Sequence, residues 1–208
     1  MDSYRTISRP AVSEFTEKRS RFLGAVCPVD NEKDAIKFIN QRRKEYWDAK
    51  HNVYAYVLRN EQIQRYSDDG EPQGTAGVPV LDILLKECLT DCVVVVTRYF
   101  GGVLLGTGGL VRAYSQGAKL AVDAGGFVIM RLCARGVISC EYKQYGPVAA
   151  LISECCGVIK DTVFSQQVDI EFNIPCELLN SMQAKLGDLS SGSLTINIIG
   201  EEYVPFEK

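Results

Sequence analysis

Histidine is nearly missing: the 208 residues include one, His51. A His-based triad or a Cys/His zinc centre therefore has almost nothing to draw on. Eight cysteines are present, but no Cys-x-x-Cys pair occurs, which removes a zinc ribbon and a thioredoxin motif. Cys27, Cys88, Cys92, Cys133, Cys140 and Cys176 lie in or beside apolar runs, where a thiol behaves as a small hydrophobe. Cys155 and Cys156 are adjacent, and neighbours in sequence close a disulfide only with strain. The pattern reads as free thiols, and so as a cytoplasmic protein. No apolar run approaches the roughly 18 residues that a membrane helix needs, and the N-terminus has no signal-like apolar stretch. A coat of positive charge is also lacking. The formal net charge of −3 argues against indiscriminate nucleic-acid binding over the whole surface.

What is there is ordinary globular composition, 46% hydrophobic and 24% charged, in a chain long enough for one large or two small domains. The charge is uneven. Residues 1–60 carry 12 Lys/Arg against 8 Asp/Glu, whereas residues 143–208 carry 4 against 9. A basic front and an acidic back suit a protein that presents its first half to an anionic partner, though scatter among surface charges gives the same numbers.

Periodicity predicts strands at 3–8, 14–27, 52–58, 61–66, 92–97 and 127–132. Helices are expected at 32–46 (capped by Asp30 or Asn31), from Pro79 to about residue 88, and over 110–124 with Gly125 as its stop. The run 92–97 is continuous and β-branched, as for a buried central strand. Beyond it lie a strand at 134–141, a helix at 145–155, strands at 158–164 and 168–174, a helix from Pro175 to about 186 and a strand at 194–199. That order is βαββαβ, a ferredoxin-like plait. The expected class is α+β, with domains at 1–132 and 133–208.

Two segments carry the chemistry. The first, 98–114, holds Gly101, Gly102, Gly106, Gly108 and Gly109 between a strand and a helix. Successive amides in such a loop can form an anion-binding nest, backed by the positive end of the helix. Arg98 and Arg112 flank it as candidate phosphate ligands, and Tyr99, Phe100 and Tyr114 offer faces for base stacking. No Gly-Lys-Ser/Thr and no G-x-G-x-x-G occurs, so neither a Walker loop nor a dinucleotide fingerprint is present. A tight strand-to-helix crossover would use the same glycines. The second segment, 67–77, carries Asp68, Asp69 and Glu71. These acids can meet a hard cation, meet a basic partner, or simply edge a solvated turn capped by Thr75. They can also pack on the first loop, with Arg98 or Arg112 pairing with Asp69 or Glu71. Arg19 and Arg21, beside Phe22, and Lys50 and His51, beside Tyr54, can follow a nucleic-acid backbone; the alternative is a strand edge guarded by charge. No catalytic residue, metal site or cofactor is assigned.

The run from Ser67-Asp68-Asp69-Gly70-Glu71-Pro72-Gln73-Gly74-Thr75-Ala76-Gly77 to Pro79, and the run from Val95 through Arg98-Tyr99-Phe100-Gly101-Gly102 to Gly109-Leu110-Val111-Arg112-Ala113-Tyr114, resemble the YigZ/IMPACT family. So do Lys18-Arg19-Ser20-Arg21-Phe22 and Lys50-His51-Asn52-Val53-Tyr54. The resemblance implies an N-terminal domain like the second domain of ribosomal protein S5 and a ferredoxin-like C-terminal domain, both similar in shape to the last domains of elongation factor G. It also implies a role in regulating translation. The expectation is a non-enzymatic, translation-associated regulator that binds RNA, the ribosome or a translation factor through its N-terminal half. Two alternatives stand beside it. One is a Mg²⁺-dependent enzyme on a small phosphorylated substrate, using Asp68, Asp69 and Glu71. The other is a protein-interaction regulator acting through the acidic C-terminal half.

Overall fold

A computed structural model describes residues 3–206. The fold is α+β, and the chain divides into two compact units, Tyr4–Ile129 and a second built from Met130 onward. The 132/133 boundary expected from the sequence falls inside one long strand, β7 (Phe127–Cys140), where 127–132 and 134–141 read as two.

In the first unit, β2 (Ala11–Glu17), β3 (Ser20–Pro28), β4 (His51–Leu58), β5 (Ile63–Ser67) and β6 (Cys92–Tyr99) form one sheet in the order β2-β3-β6-β4-β5. Every adjacent pair is antiparallel. The region 14–27 is not one strand. It is a hairpin turning on Lys18 and Arg19, which take φ of 44° and 67°. Two-residue hairpin turns demand this left-handed backbone and usually recruit Asn or Gly for it, so a Lys-Arg turn gives no signal in the sequence. The first strand, β1 (Ser3–Ile7), delivers Ile7 to the core and bridges to Leu89 through Arg5.

The central strand β6 is buried on both faces, and its side chains alternate between two cores. Cys92, Val94 and Val96 join Val53, Ala55, Val57 and Phe22 under α2 (Gly77–Lys86) and α3 (Thr107–Gly125). Val93 and Val95 join Tyr56, Ala35 and Ile39 under α1 (Glu32–Glu45). This two-residue alternation is the rule for strands. Asn31 caps α1, its side chain accepting from the Asp34 amide at 3.0 Å. α3 lies close on the sheet because Gly24 has no side chain: a Cβ there would stand 2.5 Å from the Gly117 carbonyl oxygen.

The second unit runs β7, α4 (Tyr142–Glu154), β8 (Val158–Phe164), β9 (Val168–Pro175), α5 (Leu179–Ser190) and β10 (Asn197–Phe206). β10 pairs with β7, β7 with β9 and β9 with β8. That strand order and the βαββαβ succession make a ferredoxin-like plait. Ile138, Ile170, Phe172, Ile174, Val148, Ile152, Met182 and Leu186 fill its core. Among the described residues no helix is long and apolar enough to cross a membrane.

Candidate functional site

The site lies at one end of the first unit's sheet, where β6 ends, β4 begins and β3 begins. Register sets Arg98 opposite both His51 and Phe22. Alternation then carries Arg98, two residues past Val96, and His51, two before Val53, onto the face covered by α2 and α3. Arg98 is accordingly only 5% exposed and His51 7%.

A charge buried this deeply needs a partner, and the loop after β5 supplies one. Glu71 Oε1 accepts from Arg98 Nη1 at 2.7 Å and from the Tyr114 hydroxyl at 2.8 Å. Burial and the adjacent Glu71 carboxylate hold the Tyr114 phenol far above its ordinary range. Arg98 Nη2 reaches Ser20 Oγ at 3.4 Å, and its guanidinium lies 5.6 Å from the ring centres of Phe22 and Phe100. Arg98 is thus committed to Glu71 and is not a free fork for phosphate. Tyr114, read from the sequence as a stacking face, is wholly buried, edge-on to Phe22. Its place in the buried stripe Leu110, Tyr114, Ala118, Ala121 was the available signal.

The acids of the loop diverge. The Asp68 carboxylate accepts from the amides of Gly74, Ala76 and Gly77 at 2.8 to 3.1 Å and so caps the start of α2. Thr75, the expected cap, donates instead to the Pro72 carbonyl. Asp69 accepts from the Asn52 amide at 2.6 Å and from Arg43 Nη2 at 2.7 Å. With Glu71 on Arg98, the three carboxylates point to three different partners. Among the described residues no group of three His, Cys, Asp or Glu is placed to hold a metal.

A cleft of about 390 Å³ opens here. Its lining combines polar residues, Lys50, His51, Glu71, Arg98 and Thr107, with apolar ones, Pro72, Phe100, Leu104, Leu105 and Leu110. α3 begins at its rim. Gly106 precedes the helix at φ 72°, and no side chain caps it, so the first-turn amides and the positive end of the helix are left without a side-chain partner. The helix starts three residues before the expected 110, so Gly108 and Gly109 lie in its first turn rather than in a loop. Gly102 takes φ of 84°. Gly101 packs against the hairpin turn so closely that a Cβ would stand 2.0 Å from the Arg19 carbonyl.

His51 Nδ1 lies 2.8 Å from the Asp69 carbonyl oxygen. A carbonyl only accepts, so Nδ1 carries the hydrogen and the ring's orientation is fixed. Nε2 faces the cleft wall, 3.8 Å from Glu71 Oε1, and has no hydrogen-bond partner among the described residues.

The remaining predicted cations lie outside the cleft or on its rim. Lys50 is exposed, its ammonium 5.7 Å from the Phe100 ring centre. Arg19 is exposed on the hairpin turn. Arg112 and Lys18 line a neighbouring depression that shares Leu105 with the cleft. Arg21 is drawn away: it is paired with Glu14 at 2.6 Å, with its guanidinium 5.9 Å from the Tyr99 ring centre. The Tyr99 hydroxyl donates to Asp48 at 2.8 Å.

Comparison with known proteins finds matches to two stretches of the chain. The Impact N-terminal domain matches residues 18–122, and a domain of unknown function, DUF1949, matches residues 138–193. The IMPACT family member YvyE of Bacillus subtilis is 36% identical, over 94% of this chain and 91% of its own. The IMPACT family member YigZ of Escherichia coli is 34% identical, over 97% and 100%. A solved structure titled as the crystal structure of a hypothetical protein is 34% identical and superposes with a TM-score of 0.62, over 96% of this chain and 98% of that one. Dictyostelium discoideum has a protein IMPACT homolog that is 40% identical over 96 residues, 27% of its length. On the domain match and the near-full-length identities together, the chain belongs to the IMPACT family.

Proposed function

We propose that the protein is a non-enzymatic regulator of translation that binds RNA, free or within the ribosome, through its first unit. The observation that carries this is a rim of uncommitted cations. Lys18, Arg19, Lys50 and Arg112 are all exposed, and none forms an ion pair among the described residues. Gly101 ties the Arg19 turn to the loop before α3, Lys18 and Arg112 share a depression, and Lys50 stands over Phe100. Cations around an exposed ring and a helix start suit a phosphate backbone with a stacked base. The acidic balance of the whole chain then restricts binding to this face.

The test is fluorescence anisotropy with a labelled single-stranded ribosomal RNA fragment across a salt series, using the full chain. Binding should weaken as salt rises. Replacing Lys18 and Arg112 together by Ala should flatten the slope of log K against log salt by about 1.4, at roughly 0.7 for each single-strand phosphate that is no longer neutralised. No binding at low salt, or a double variant with the wild-type slope, rejects the reading. The Arg98→Ala variant is unsuited to this test, because it breaks a buried pair.

A further inference from the structure

We propose that the cleft at the start of α3 binds a small organic anion that also carries a hydrogen-bond donor. Two independent features define its ends. The uncapped first turn of α3, with the exposed Lys50 ammonium on the same lining, favours a carboxylate or phosphate. On the same lining, the imidazole of His51 is nine-tenths buried, and its Nε2, 3.8 Å from Glu71, makes no hydrogen bond among the described residues. Nδ1 being engaged by the Asp69 carbonyl, Nε2 is the ring atom left for a ligand, and the Glu71 carboxylate stands 3.8 Å away. A group that bridges the two must donate to the carboxylate, and the donors already on Glu71, from Arg98 and Tyr114, leave Nε2 without a hydrogen bond. A ligand hydroxyl or amine fills that place.

The apolar part of the lining, Leu104, Leu105, Phe100 and Leu110, sets the third requirement, a short hydrocarbon portion. Leu104 is 83% exposed and so is open to a ligand in the cleft. The volume of about 390 Å³ is at the small end of ligand pockets and suits a compact metabolite rather than a dinucleotide. This site shares Lys50, Phe100 and the start of α3 with the proposed RNA face, whereas Arg112 and Lys18 are not on its lining and so tell the two readings apart.

Isothermal titration of the full chain tests the assignment. 2-Hydroxy-4-methylpentanoate is the carboxylate probe and glycerol phosphate the phosphate probe. Saturable binding of at least one is expected. For the carboxylate, 4-methylpentanoate, which lacks the hydroxyl, should bind about tenfold more weakly, because it leaves Nε2 unpaired. Lys50→Ala alters an exposed side chain, so it keeps the fold and should weaken either probe several-fold; Leu104→Glu, equally exposed, should block the cleft. Arg112→Ala should leave both probes unaffected while weakening RNA, which separates failure here from failure of the RNA reading. Absence of saturable binding by both probes, or binding that neither Lys50→Ala nor Leu104→Glu changes, overturns the assignment.

Discussion

Glu71 Oε1 is the atom on which the site converges. It accepts from Arg98 and Tyr114, and Glu71 and Arg98 side chains are only 5% and 6% exposed. Removing one member leaves a buried charge without compensation. Arg98→Ala should therefore destabilise the first unit by about 3–5 kcal/mol. Tyr114→Phe, which removes one hydrogen bond and keeps the ring against Phe22, should cost about 1–3 kcal/mol. Urea unfolding of both variants measures the effects; an Arg98→Ala loss smaller than that of Tyr114→Phe would show that the ion pair does not hold the loop. The sequence makes Arg98 visible as a functional candidate because it borders glycines. Its burial is not visible there, since that depends on strand register, which sets it opposite Phe22 and His51. The Arg98–Glu71 pairing is one of several pairings open on residue type alone.

At the scale of elements, α2 depends on a residue eight positions before Ala76, which precedes the helix. One Asp68 carboxylate accepts three backbone amides at the approach to and start of the helix. Asp68→Ala leaves those amides without their acceptor and should cost about 1–2 kcal/mol, in the range of lost N-caps. Amide exchange should accelerate first in 74–80; uniform acceleration over the whole unit would assign Asp68 a global role instead. Such a long-range cap is illegible to any rule that reads Ser, Thr, Asp or Asn directly before a helix, and that rule points to Thr75. Elements whose signal is periodic are legible. The alternation in β4, the β-branched run of β6 and the βαββαβ succession of the second unit are all local in sequence. The Lys18–Arg19 turn and the continuity of β7 through 132–134 are not, because tertiary pairing overrides weak local preference there.

For the whole molecule, alkaline pH separates the two units. Burial foremost pushes up the phenols of Tyr4, Tyr56 and Tyr99, the last to about 12, and that of Tyr114 still further, together with the thiols of Cys27 and Cys92; all six lie in the first unit. In the second unit, the groups raised in this way among the described residues are Cys133, to about 11, and Cys140. These acids have folded values above their unfolded ones, near 9 for a thiol and 10 for a phenol. The stability they contribute is complete below the unfolded value and is lost as pH rises through the folded value, because the unfolded chain releases those protons first. The larger set makes the first unit the more sensitive. Thiol labelling reads this out: Cys88 and Cys156 are exposed, so their labelling does not wait on unfolding, whereas Cys92 and Cys133 are buried and mark one unit each. Between about pH 9 and 11, Cys92 should become reactive, relative to Cys88, before Cys133 does so relative to Cys156. Tyr114→Phe should flatten the alkaline fall of the first unit's stability, by at most about 1.4 kcal/mol per pH unit. Opening of Cys133 first would mean that the buried phenols do not govern alkaline stability, and opening of both together that the units unfold as one.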